Sequence, residues 1–244
     1  MREEMPIFSR LNEHSLLLQW KEKGNPIDLE TLLFYKTKLQ NKNTQSILEI
    51  NNTYNSLLIT YDCTIENIDS AFEAIAELIK DEEAPIQRSI RRFTLPVCYA
   101  AEFAMDQQEV SAYLKLPFEE VISLHSSFNY RIDFLGFLPG FPYLSGLPSE
   151  LHMPRKKNPV QQVPQGAVGL AETQTGIYPQ SSPGGWQIIG QTPVMIFDGQ
   201  QQPPSPFLPG DEIRFQAIDE DQFMRLSEKV KSGMYTWQVE TLSS

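Results

Sequence analysis

The 244-residue sequence predicts an α+β fold in two parts: an α/β domain over residues 1–87 and a turn-rich β domain over residues 88–244. Three observations lead there. Residues 135–210 hold 11 of the 13 glycines and 13 of the 18 prolines, the mark of short strands between closely spaced turns. Upstream, apolar residues recur at helical spacing between strand-like runs. The two regions meet near "DEEAPIQ" (81–87), which is charged and broken by proline.

The N-terminal elements follow in order. "SLLLQW" (15–20) reads as a strand. "DLETLLFYKTKL" (28–39) reads as a helix capped by Asp28, with Leu29, Leu32, Leu33 and Lys36 on one face. "QSILEI" (45–50) and "NSLLITYD" (55–62) flank "NNTY", a hairpin-like turn. "IDSAFEAIAELIK" (68–80) sets Phe72, Ile75, Ala76 and Ile79 at helical spacing. "RRFTLPVCY" (91–99) is strand-like, and Pro96 points to an edge or a strand end. The order β-α-β-β-α-β is that of a ferredoxin-like split unit.

In the second part, "DQQEVSAYL" begins with Asp106 and carries Glu109 three residues on, a capping-box pattern. "PFEEVISLHSSF" starts with Pro117, suited to a first helical position, and two acids at the positive helix end. Then come "IDFLGFL", "AVGLAE", "WQIIG", "VMIFD" and "EIRFQAI", each of strand length and bounded by Gly or Pro. Such punctuation suits a barrel or a sandwich.

Composition narrows the function. A net charge of −11 argues against nucleic acid and against an anionic membrane surface. No apolar run approaches the roughly 18 residues of a membrane span. The N-terminus "MREEMPIFSR" lacks the apolar centre of a signal peptide, so a cytoplasmic location is expected. Two cysteines, Cys63 and Cys98, allow one disulfide but no disulfide framework. Phosphate-loop, dinucleotide, zinc-protease and nucleophile-elbow signatures are absent, and the three histidines are scattered, so no metal set is assigned.

The stretch "QTGIYPQSSPGGWQIIGQTP" (174–193) holds four glycines, three prolines, a tyrosine and a tryptophan, yet no acid, base, histidine or cysteine. It can shape a pocket from turns, peptide groups and aromatic walls around a small amide or lactam. Gly176, Gly184, Gly185 and Gly190 are expected to supply unusual backbone conformations. Gln174, Thr175 and Ser182 offer neutral hydrogen-bond groups, and Tyr178 and Trp186 the aromatic surface. His125 follows Phe118, Val121 and Ile122 at helical spacing and so faces inward, near Phe137 and Pro139. A histidine so placed is by default a core residue with its hydrogen bonds satisfied. As a polar group at a pocket edge it is the candidate for acid–base work near neutral pH. Arg155, Lys156 and Lys157 form the only basic run in residues 135–200. The two lysines suit a solvated turn, whereas the arginine fork suits a carboxylate or phosphate.

At these residues the sequence resembles a known family. "LHSSFNYRIDFLGFLPGFPYLSGLP", "MPRKKNP", "VPQGAVGLAETQTGIYPQSSPGGWQIIGQTP" and "PFLPGDEIRF" are similar to the family containing the B subunit of bacterial 5-oxoprolinase. That family also holds the sporulation-kinase inhibitor KipI and proteins labelled allophanate hydrolase subunit 1, with the carboxyltransferase part of urea carboxylase as a relative. The resemblance is strong from Leu95 to Phe215. It implies a cyclophilin-like β-barrel after the N-terminal domain, and it adds Phe137, Pro139, Gly140 and Pro142 to the substrate-binding wall. It also implies a C-type partner subunit of related barrel fold and an A subunit, which together hydrolyse 5-oxoproline to glutamate at the expense of ATP. Phosphorylating the lactam oxygen would overcome amide resonance, which explains the ATP coupling. With no nucleotide motif in this chain, ATP with its magnesium is expected at a composite site, and the chain alone is expected to be inactive. The alternative implied by KipI is a regulator docking on a histidine kinase. Three departures stand out. Val160 and Gln191 replace family arginines, and Asn12-Glu13-His14-Ser15 stands where Gly-Asp-Ser is common. Arg155 is then the main remaining cation of the pocket.

Overall fold

In the computed structural model, which describes residues 5–21, 27–41, 47–80 and 89–242, the chain separates into two units, 1–88 and 89–244. The segment 81–87 and residues 45–46 of the expected third run lie outside the described residues.

The N-terminal unit opens with an unexpected strand, β1 (Ile7–Asn12), which turns through Glu13 and His14 into β2 (Ser15–Gln19). Helix α1 (Leu29–Asn41), strands β3 (Ile47–Asn52) and β4 (Ser56–Tyr61) and helix α2 (Ile68–Lys80) follow. Asp28 caps α1 as expected, accepting the Thr31 N–H at 2.9 Å. The buried face of α1 runs through Leu29, Leu32, Lys38 and Leu39, leaving Leu33 and Lys36 half-buried. Asn51 and Asn52 extend β3, so the hairpin turn falls at Thr53–Asn55 rather than over "NNTY". Leu16, Leu18, Ile50, Leu57 and Ile59 of the sheet pack with Leu32, Leu39, Ile75 and Ile79 of the helices in one core.

The sheet order is β1-β2-β4-β3, antiparallel throughout. β2 and β3 therefore run parallel with β4 between them, which is the split βαβ of a ferredoxin-like unit. The fourth strand differs from expectation. The edge beside β2 is filled by β1, through a two-residue turn that costs little loop entropy. The run at 91–99 lies instead in the second unit.

There, β5 (Ile90–Cys98) pairs in parallel with β13 (Glu212–Ile218). Helices α3 (Gln107–Leu114) and α4 (Phe118–Ser127) lead to β6 (Asn129–Leu135) and β7 (Pro142–Ser145). Next come β8 (Val160–Val163), β9 (Ala167–Ala171), β10 (Gln174–Ile177), β11 (Ser182–Gly184) and β12 (Gln187–Gln191). Helix α5 (Glu220–Lys231) and β14 (Gln238–Leu242) complete it. The order β12-β9-β10-β7-β6-β13-β5 closes through Gln191 and Cys98 into a seven-stranded barrel, with β14 added along the start of β5. The expected closed barrel after an α/β unit is thus present. On that side of β5, β14 pairs as far as Thr94 and β12 arrives at Cys98, so Pro96 falls between partners. Cys63 is exposed, Cys98 is buried, and both are free.

Three local expectations change. "VMIFD" (194–198) forms no strand; it has no regular secondary structure, yet it buries Val194 and Ile196 in the barrel core. Asp106 precedes α3 but its side chain makes no cap bond, because it is engaged by distant groups described below. Pro117 sits one residue earlier than expected, at the cap of α4. Among the described residues no helix is long and apolar enough to cross a membrane.

Candidate functional site

Strand alternation divides the stretch 174–193 between two faces of the barrel wall. Thr175 and Ile177 point into the barrel interior. Gln174, Gly176 and then Tyr178 point the other way, toward a second cluster of Phe141, Val163, Ala167, Ala171, Tyr178, Trp186 and Ile188.

His125 belongs to the interior. It is fully buried, with Nδ1 2.8 Å from Tyr99 Oη and Nε2 2.9 Å from Thr175 Oγ1. Thr175 Oγ1 donates to the Gly169 carbonyl at 3.0 Å, so it accepts from His125 Nε2–H, and Nδ1 accepts from Tyr99. The ring stacks on Phe215 at 4.4 Å and contacts Tyr130 at 5.3 Å. Burial pushes its pKa down to about 3. The histidine faces the barrel as its helical phase requires, but its ring neighbours are Tyr99, Tyr130 and Phe215 rather than Phe137 and Pro139. Neutral, enclosed and with both nitrogens bonded, His125 is placed as a core residue, as its default reading has it. Thr175, its partner, is withdrawn from the site with it.

The other face carries the candidate site. Phe141 meets Trp186 edge-on at 5.3 Å and Tyr178 at 5.2 Å, and Tyr143 lies 5.9 Å from Trp186. Phe137 extends the group outward, 5.6 Å from Phe141; it is 62% exposed and held at φ 66°. Its turn continues through exposed Pro139 to Gly140, whose φ is 80° and where a Cβ would lie 2.7 Å from Phe197. Pro142 is buried at the start of β7.

The glycines of 174–193 serve a different purpose from the one expected. None of Gly176, Gly184, Gly185 or Gly190 has a left-handed φ. They make room instead. A Cβ on Gly176 would lie 2.8 Å from the Trp186 ring, and one on Gly184 would lie 2.4 Å from Tyr178 Oη. One on Gly190 would lie 2.8 Å from the Cys98 carbonyl on the closing strand. Gly185 alone has ordinary space, with nothing nearer than 3.6 Å.

Polar groups are few here. Gln174 Nε2 is buried without a hydrogen-bond partner, the unusual state that an incoming acceptor would relieve. Ser182 Oγ donates to the neighbouring Pro183 carbonyl at 3.1 Å. The Arg155 guanidinium lies 5.9 Å from the Trp186 ring centre. Tyr178 is pushed up to about 12, chiefly by burial, against the opposing pull of a Trp186 backbone hydrogen bond and of Arg155, so it keeps its proton. Burial likewise raises Tyr143, and Arg155 opposes it. Lys156 is not a solvated turn residue, because it forms a largely buried ion pair with Asp106.

Phe137, Pro142, Arg155, Gln174, Tyr178, Gly184, Gly185 and Trp186 therefore meet on one face, while His125 and Thr175 lie behind it. Sequence reasoning missed Phe141 and Tyr143, although their spacing of two in "GFPYL" places them on the same side of a strand start, with ring centres 5.0 Å apart. It also missed the Asp106–Lys156 pair, which joins residues 50 positions apart. The face offers flat apolar surface, amide and phenol donors and one cation. Among the described residues no group of three or more His, Cys, Asp or Glu could hold a metal ion. A cavity of about 570 Å³ lined by Cys98, Tyr99, Ile122 and residues 217–221 shares no residue with this face.

Comparison with known proteins agrees with this architecture. Residues 6–207 match the family described as "Carboxyltransferase domain, subdomain C and D". The 5-oxoprolinase B subunit of Bacillus subtilis is 38% identical over 186 residues, covering 72% of this chain and 78% of that protein. The crystal structure of TTHA0988 superposes with a TM-score of 0.71 at 31% identity, over 84% of this chain but only 40% of the larger one. The Kluyveromyces lactis urea carboxylase shares the fold, with a TM-score of 0.78 at 17% identity over 96% of this chain and 24% of that enzyme. The chain belongs to the carboxyltransferase-domain family, subdomains C and D, the family of its relatives among the 5-oxoprolinase B subunits.

Proposed function

We propose that the chain is the B subunit of an ATP-dependent 5-oxoprolinase, which hydrolyses 5-oxoproline to glutamate together with A and C subunits. The observation that carries this reading is the 38% identity to the B. subtilis 5-oxoprolinase protein over most of both chains. The chemistry of the aromatic face supports it. 5-Oxoproline is a small, nearly flat lactam with one carboxylate. Arg155 would hold that carboxylate through two parallel hydrogen bonds. Phe137 and Trp186 would cover the ring, and Gln174 Nε2 would donate to the lactam oxygen.

The described residues of the aromatic face do not by themselves supply the carboxylates that ATP with magnesium needs. Asp106, which pairs with Lys156 beside Arg155, is occupied by that lysine and by the Ile188 N–H, and among the described residues no group of three or more His, Cys, Asp or Glu could hold a metal ion. ATP with its magnesium would then bind at a composite site shared with a partner subunit, and this chain would serve as a non-autonomous substrate-holding subunit. Nothing among the described residues favours the kinase-regulator alternative.

Co-expression with A- and C-type subunits, followed by an assay of 5-oxoproline-dependent ATP hydrolysis, tests the reading. Glutamate formation by the complex and none by the purified single chain is expected. A well-formed complex that leaves 5-oxoproline intact would overturn the assignment, and turnover by the single chain would overturn its dependence on partners.

A further inference from the structure

Arg155 lies on residues 154–159, a stretch with no regular secondary structure, yet its guanidinium is set against Trp186. The residues on either side of it explain how. Gln187 Nε2 donates to the Pro154 carbonyl at 3.3 Å, and the Lys156 N–H donates to the Gly185 carbonyl at 2.7 Å. Pro154 and Lys156 flank Arg155, while Gly185 and Gln187 flank Trp186. The two hydrogen bonds therefore bring the arginine and the tryptophan into register, as a short piece of ladder would.

That register is locked from below by Asp106. One carboxylate oxygen accepts the Ile188 N–H at 2.6 Å, and the other pairs with Lys156 Nζ. The Asp106 N–H in turn donates to the Ile188 carbonyl at 3.0 Å. The pair is largely enclosed, with the Lys156 and Asp106 side chains 17% and 9% exposed. A single carboxylate thus ties the start of β12 to the Arg155 segment and neutralises Lys156. Arg155, next to Lys156 in the chain, forms no ion pair among the described residues.

We infer that Lys156 and Asp106 are positioning residues for Arg155. They hold its guanidinium over Trp186 in the orientation that receives a substrate carboxylate, and Lys156 itself does not touch substrate. The substrate part of this inference rests on the 5-oxoprolinase reading; the positioning part does not.

Two readouts test it. On the full chain, the rate of phenylglyoxal modification at Arg155 is followed by mass spectrometry. On the reconstituted complex, KM and kcat for 5-oxoproline are separated. Lys156→Met keeps the side-chain stem and removes the charge. It is expected to raise the modification rate and the KM each by about three- to tenfold, with kcat within about twofold of native. Lys156→Arg, which restores the pairing charge, returns both toward native. Lys157→Met, at an exposed neighbour outside the network, leaves both at native values. Should Lys156→Met fail to fold, Asp106→Asn keeps an acceptor for the Ile188 N–H, breaks the ion pair and is read the same way. Equal modification of Arg155 in the native chain, Lys156→Met and Asp106→Asn would overturn the inference. So would a raised modification rate with native KM, since Arg155 would then be held without consequence for substrate. If the native complex shows no 5-oxoproline hydrolysis, the functional reading falls, while the modification rates still decide the positioning.

Discussion

Replacing His125 by leucine separates a core histidine from a catalytic one. In the native chain the ring satisfies Tyr99 Oη and stacks on Phe215. Leucine leaves a buried phenol without its acceptor, at about 1–3 kcal/mol, and forfeits an aromatic pair worth about 0.5–1.5 kcal/mol. The variant should therefore be less stable at pH 7.5 by about 2–4 kcal/mol, a drop in Tm of roughly 4–16 °C for a chain of this size. The pH dependence gives a sharper signature. Burial holds the native imidazole at about 3, well below its usual 6.5. Between those two values the unfolded chain takes up a proton that the folded chain refuses, so the histidine makes stability fall as the pH drops through that window. At pH 5 this loss is about 2 kcal/mol, and the leucine variant does not suffer it. Thermal melts of both proteins at pH 7.5 and pH 5 should show a wide gap that narrows on acidification. In the reconstituted complex, the pH profile of kcat/KM should keep its shape. An unchanged melting temperature combined with a hundredfold or greater loss of kcat would refute the argument and return His125 to the chemistry.

Two further substitutions probe the aromatic face. Arg155→Lys loses the planar fork and one charge-assisted hydrogen bond worth roughly 1.5–3 kcal/mol, so KM for 5-oxoproline should rise about tenfold or more with Tm unchanged; a lowered Tm at native KM would make the arginine structural. Gly176→Ala brings a methyl to 2.8 Å from Trp186 and 3.0 Å from both Phe141 and the Pro142 carbonyl. Overpacking of that kind costs about 1–3 kcal/mol, whereas Gly185→Ala, with ordinary space around it, should stay within about 0.5 kcal/mol of native. Equal melting temperatures for the two alanine variants would show that the face is not packed as described.

Local patterns carried much of this molecule in the linear sequence. Asp28 ahead of a leucine-rich run was enough for a capped helix, and the short apolar runs at 55–62 and 167–172, bounded by turn residues, were enough for strands, because both signals act over a few residues. The crowding of glycine and proline after residue 135 marked a turn-rich β unit, and the ordered motifs from Leu95 to Phe215 identified the family. What depended on distant partners was not legible there. Asp106 has the spacing of a helix cap, but its carboxylate is claimed by Ile188 and Lys156, 82 and 50 residues away. Strand 91–99 fits the first unit by order, but its pairing with β13, more than a hundred residues on, places it in the barrel. The glycines of 174–193 were expected to supply unusual backbone conformations, yet none has a left-handed φ, and Gly176 and Gly184 are explained by the aromatic rings pressed against them. Helical phase turned His125 inward, but only the tertiary structure put Tyr99 and Thr175 on its two nitrogens and so decided that it is core. Capping, periodicity and turn chemistry are energies between near neighbours and are written in order along the chain. Side-chain packing, long-range hydrogen bonds and burial exist only once the barrel closes.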